Sequence, residues 1–289
     1  MPSRRSSTQA APTPIPVSIE IQTLVASRVR ARRWALLTAC ALAAASLPAL
    51  ADSAPADPTN PSPGWTGTAT LGPLILPKYE GGTRTQTWLI PILSVNYNDT
   101  VYVEFDRAGV YLLASDDKKM GLGLAVEPRF GFGAGDGARV AGFATRRSSL
   151  EAGPTFDWDL DVVAISVARL GDVNRTSRGA SIKTSFYVPL RKDDRIEIGA
   201  LAAFDTMDRK IADYYFGVRS SEATAARAEY HPGGGTHTSI GISGTFKVER
   251  GRAFTFAVVA TRLAGSAAAS PIAETRRATL AYAGYGLSF

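Results

Sequence analysis

Cysteine is almost missing from this chain. Its 289 residues include one, Cys40, which excludes a disulfide framework, a cysteine-bound zinc site and an iron–sulfur cluster. Histidine is nearly as scarce, and His231 with His237 cannot build a multi-histidine metal site or a histidine relay. No cofactor or metal is therefore expected. No apolar run reaches the roughly 20 residues of a membrane-spanning helix. A cationic face for nucleic acid is lacking too. Of 32 basic and 26 acidic residues, six Arg and one Glu precede residue 52, so 26 basic residues face 25 acidic ones in the rest. Nucleic-acid binding wants concentrated positive charge, so no nucleic-acid partner is expected.

The N-terminus has the layout of an export signal. Arg28, Arg30, Arg32 and Arg33 precede an apolar run from Trp34 to Leu47, and Ala49 and Ala51 supply the small residues of a cleavage site before Asp52. Residues 1–51 are expected to be a cleaved signal peptide. Leu37-Thr38-Ala39-Cys40 offers a competing lipobox, but its apolar stretch is short and a better site follows. Residues 52–64 form a Pro-rich leader unsuited to a helix or a strand ladder.

From Trp65 onward the dominant period is two. Ile182, Thr184, Phe186 and Val188 alternate with Ser181, Lys183, Ser185 and Tyr187. Ile196, Ile198 and Ala200 alternate with Arg195, Glu197 and Gly199, and Ile240, Ile242 and Phe246 with Ser239, Ser243 and Lys247. No window of similar length carries an apolar stripe at helical spacing. The expectation is an all-β, antiparallel fold over 65–289.

Short polar turns at 98–99, 190–194 and 249–252 contrast with longer connections at 76–83, 205–237 and 264–277, the asymmetry of outer-membrane barrels. Eleven strands can be marked: 65–73, 84–97, 100–113, 120–132, 148–159, 162–172, 180–189, 195–204, 238–249, 253–263 and 276–289. A barrel that starts and ends on one side needs an even number. Splitting 100–113 around Asp106-Arg107-Ala108-Gly109 gives twelve, with ten as the alternative. The export signal, the absence of cysteine after residue 51 and the alternating final strand ending in Phe289 favour a membrane barrel over a soluble sandwich. Barrel-assembly machinery reads such a terminal aromatic. The expected location is the outer membrane of a Gram-negative bacterium, with its lipid as the first partner.

Several short blocks then occur in a telling order. They are Pro77-Lys78-Tyr79-Glu80-Gly81, Asp213-Tyr214-Tyr215-Phe216-Gly217-Val218, Glu229-Tyr230-His231-Pro232-Gly233-Gly234-Gly235, Arg262-Leu263 with Ser270-Pro271-Ile272, and Tyr285-x-x-x-Phe289. Together they resemble the MipA/OmpV family over about 65–289. The resemblance implies an outer-membrane barrel linked in some members to murein metabolism, as a scaffold for a lytic transglycosylase and a murein synthase. Other members resemble porins or adhesins. It implies no catalytic residues.

Two sets of candidate residues follow. Asp213, Tyr214, Tyr215, Phe216, His231 and Pro232, inside the long 205–237 connection, form either a plug or partner-binding surface, or an aromatic girdle with a loop packed into the barrel mouth. Glu104, Asp106, Lys183, Arg195, Glu197, Lys247 and Glu249 fall opposite the apolar positions and are expected in the lumen or at its rim. The histidines lie near Ser239, Glu229 and Asp213, but no Gly-x-Ser-x-Gly elbow accompanies them, so an enzyme is not expected. Asp116-Asp117 and Asp193-Asp194 have the character of solvated turn charges. A murein-enzyme scaffold, a small porin and a soluble periplasmic ligand-binding β protein remain as functional alternatives.

Overall fold

A computed structural model describes residues 64–248 and 251–289. The expected signal peptide, nearly all of the leader, the Cys40 lipobox and Glu249 lie outside the described residues. Twelve antiparallel strands close into one barrel: β1 (Trp65–Pro77), β2 (Thr85–Tyr97), β3 (Val101–Glu104), β4 (Arg107–Ala114), β5 (Met120–Arg129), β6 (Ser149–Asp159), β7 (Ala164–Asp172), β8 (Ala180–Lys192), β9 (Ile196–Met207), β10 (Gly235–Val248), β11 (Arg252–Arg262) and β12 (Arg277–Ser288). The segment 100–113 does split into two strands, but the turn is at Phe105-Asp106, a little earlier than the sequence suggested. β12 pairs with β1 from Thr68↔Ser288 to Ile75↔Ala281. The terminal residue completes the seam: Gly67 N–H donates to Phe289 O at 2.8 Å and Phe289 N–H to Gly67 O at 3.0 Å. Gly67 has φ +138°, and a Cβ there would sit 2.1 Å from Ser94 O, so only glycine fits.

The period-two pattern is a division between outside and inside. Ile182 is 49% exposed, Ile240 64% and Leu89 71%, all pointing away from the axis. A continuous belt of such residues is unstable in water and stable in hydrocarbon. No helix among the described residues is long and apolar enough to cross a membrane, so the strands carry the belt. Turns 98–100, 115–119, 160–163 and 193–195 gather at one end of the barrel. Connections 78–84, 130–148, 173–179, 208–234 and 263–276 gather at the other.

Every proline inside a strand lies where a ladder is incomplete, because proline has no N–H to contribute. The β1–β12 pairing skips Pro73, the β6–β7 pairing skips Pro154, and the β8–β9 register shifts at Pro189. Pro91 and Pro128 lie in parts of β2 and β5 beyond the reach of the short β3–β4 hairpin.

Candidate functional site

The long connections fold together into a cap. The 208–234 segment opens with helix α1 (Arg209–Phe216), which the sequence reading had not marked as a helix. Asp208 starts it by accepting a hydrogen bond from Ile211 N–H at 2.9 Å, the usual role of an Asp N-cap. Ile211, Tyr215 and Phe216 on its inner side pack with Met207, Leu263 and Ala267, the last from α2 (Gly265–Ala268). A second cluster joins Tyr79, Phe132, Val140, Phe143, Val218 and Ile272 from four connections. Arg146 lies buried between them, making two bonds to the Glu222 carboxylate at 2.7 and 2.6 Å and facing the Phe143 ring at 5.0 Å. Burial alone would raise the Glu222 pKa, but the hydrogen bonds and charge of Arg146 together with the Arg219 and Ala144 N–H groups outweigh it and hold the carboxyl below its ordinary value.

The loop candidates all belong to this cap. Tyr215 accepts from Ser149 N–H at 3.1 Å and Tyr214 from Arg147 N–H at 2.8 Å, while Phe216 and Pro232 are buried. None of these rings forms an aromatic girdle. Exposed Trp158, Phe254, Tyr285 and Phe289 are placed for that role near the short-turn end. His231 is exposed and lies between Asp213 (2.8 Å) and Glu229 (3.0 Å), and the bond to Asp213 chiefly raises its pKa. His237 is buried instead, with Nδ1 accepting from Ala264 N–H at 3.0 Å. The two histidines are therefore in separate environments, with no shared serine.

Below the cap, the lumen has two unlike arcs. Strands β4 to β9 turn charge inward: Glu127 pairs with both Arg107 and Lys183, and Arg129 donates to Glu151 at 2.6 Å and to Asp205 at 3.1 Å. Arg107 also donates to Ser166 Oγ at 3.2 Å. Arg107, Glu127, Lys183 and Glu151 are at most 2% exposed, so no water passage runs beside them. Strands β12, β1 and β2 turn apolar groups inward instead. Leu74, Leu76, Leu280 and Tyr282 pack there with Trp88, Ile90 and Ile92, and Phe105 and Phe130 lean onto them. Toward the short-turn end the lumen opens into a cavity bordered by Glu104, Glu197, Tyr187, Ser243 and Phe256.

A closed twelve-strand barrel with an apolar exterior, a charged arc in its lumen and one looped end matches a bacterial outer-membrane architecture. The family model described as "MltA-interacting protein MipA" matches residues 69–289. The chain belongs to the MipA family. It is similar to outer membrane protein Omp26La of Vibrio anguillarum, 28% identical over 153 residues covering 50% of this chain and 57% of that protein. It is also similar to outer membrane protein OmpV of Vibrio cholerae serotype O1, 26% identical over 150 residues with the same coverage. The chain thus spans little more than half the length of these curated relatives. This MipA-family barrel belongs to the Gram-negative outer membrane, and the soluble periplasmic alternative falls with its exposed apolar belt.

The predicted lumen charges of this MipA-family barrel separate by depth. Lys183 is in the buried layer, and Asp106, in the β3–β4 turn close to it, is half-buried, with Oδ2 shielded and lacking a hydrogen-bond partner among the described residues. Glu104 and Glu197 border the cavity. Arg195 and Lys247 share the parity of Glu197 but are exposed at the short-turn rim. Sequence reasoning missed Arg107, Glu127, Arg129, Glu151 and Asp205, which carry the rest of the charged layer. The signal was available: Glu127 and Arg129 keep the same two-residue phase as Gly123 and Ala125, so they had to face inward.

Proposed function

We propose that this protein is an outer-membrane scaffold that holds murein-processing enzymes, a lytic transglycosylase and a murein synthase, beneath the membrane. The observation carrying this reading is the filled middle of the barrel. A layer of buried ion pairs, beneath a knitted cap, leaves the molecule to act through what its surface holds rather than through what passes along its axis. The family description names an interaction with MltA, which accords with that role. The enzymes work on murein in the periplasm, so they would meet the short-turn end. There Lys118 pairs with Asp99 and Lys119 with Asp161, bracing neighbouring turns, while Arg195 and Lys247 remain exposed.

Cross-linked membranes solubilised in detergent should yield the barrel together with both enzymes. Reversing the rim charges by Arg195→Glu and Lys247→Glu should lower that recovery several-fold without altering the boiled and unboiled gel mobilities that report an intact barrel. Recovery of the native chain with neither enzyme enriched would reject the scaffold reading. The porin alternative needs a water path through the ion-pair layer, which the burial of that layer opposes.

A further inference from the structure

The barrel wall has a notch. β3 pairs with β2 only from Ser94 to Tyr97, and β4 pairs with β5 only as far as Val126. Above the four-residue β3, the wall therefore lacks two strands, leaving Thr85–Leu93 facing Glu127–Arg129 with no strand between. Leu93 O accepts from Phe105 N–H at 2.8 Å. By the period of two, the backbone groups of Pro91, Leu89 and Thr87 point to the same side, where no strand among the described residues pairs with them. Pro91 has no N–H to leave unmatched on that side. The notch starts at the looped end and so lies in the outer-leaflet half of the bilayer.

Its floor is apolar. Trp88 and Ile90 point inward yet remain half-exposed, whereas Leu74 and Leu76 at the matching depth of β1 are fully buried; Ile92, next along β2, also lines the lumen cavity. Phe105 and Phe130 pack onto the same cluster and complete the floor. Phe105 adopts φ +50°, a left-handed conformation costly for a bulky side chain, in the turn that ends the short hairpin. The rim belongs to the lipid-facing belt: Leu89 is 71% exposed, and Ile75, also in the belt, lies still nearer the looped end.

We propose that this notch is a binding groove for one acyl chain of an outer-leaflet lipid. The groove opens sideways into hydrocarbon, so a lipid reaches it without leaving the membrane. The tail lies on Trp88, Ile90 and Ile92 and ends against the β3–β4 hairpin. The ester, amide or hydroxyl groups at the head of the chain meet the free backbone edge at Leu89 and Thr87, which hydrocarbon alone would leave unsatisfied. A polypeptide strand added to this edge is the competing occupant. It is disfavoured because the groove lies in the leaflet remote from the periplasm and its floor is wholly apolar.

The test uses the full barrel, with Trp34, Trp65 and Trp158 replaced by Phe, refolded into phosphatidylcholine vesicles brominated along the acyl chains. Trp88 should lose most of its emission, as Leu122→Trp does on the outer face, although Trp88 has inward parity. Tyr187→Trp, inside the unbroken wall, should keep its emission; both references are built without the native tryptophans. Trp88 emission unchanged like that of Tyr187→Trp would overturn the proposal. Native mass spectrometry of protein extracted gently from cells gives a second readout. One retained lipid, lost in Ile90→Asn with the heat-dependent gel shift preserved, supports it. A lipid-free native barrel, or a polypeptide adduct in place of lipid, overturns it.

Discussion

Lys183 owes its role to its surroundings. Alternation assigns it to the inside, but its partner lies 56 residues away in sequence, and Glu127 is shared with Arg107 from a third strand. A buried cation that loses its counter-ion is strongly destabilising, typically by about 3–5 kcal/mol. Glu127→Gln should therefore lower the urea-unfolding free energy of the refolded barrel by about that amount. Asp106 is a further carboxylate close to both Lys183 and Arg107, so adding Asp106→Asn should deepen the loss. Equal stability of the wild type and both variants would show that the layer contributes no net cohesion. Inward parity was legible at Lys183 and Glu197. The pairing was not, because it depends on which strands face one another across the lumen.

At the scale of elements, strand existence was clear and strand length was not. β3 has four residues because Phe105 turns the chain back early, and only the split between 100 and 113 hinted at it. Helix α1 escaped notice since eight residues make too short a window for periodicity and its apolar side is completed by α2 and β9. Its start was nevertheless written in Asp208. That side chain caps the helix and, through Oδ2, accepts from Ala180 N–H at 2.9 Å. Asp208→Ala should weaken the helix by about 1 kcal/mol, the usual worth of an N-cap. Faster hydrogen exchange should then be confined to 209–216 and the start of β8, with the gel shift on boiling unchanged. Uniform exchange across the barrel would contradict a local capping role. The prolines teach the converse: Pro91 and Pro128, which the alternation did not single out, mark the stretch where the ladder stops.

For the whole molecule, the test is conductance. With Arg107, Glu127, Arg129, Glu151 and Lys183 closing the charged side of the lumen, and Phe105 and Phe130 filling the apolar side, the protein should be silent in a planar bilayer. Regular single-channel steps from the wild type would mean that the layer opens. Period-two alternation, the turn asymmetry, the export signal, the absence of cysteine after residue 51 and the terminal Phe289 pointed to an outer-membrane barrel of twelve strands with ten as the alternative, because a closed ladder in lipid leaves one face to hydrocarbon whatever its neighbours are. The plugged lumen, the cap built from four connections and the breach beside β2 required the folded chain. Each arises where residues far apart in sequence meet across the axis or fail to meet along the wall, and a repeat of two carries no record of such distances.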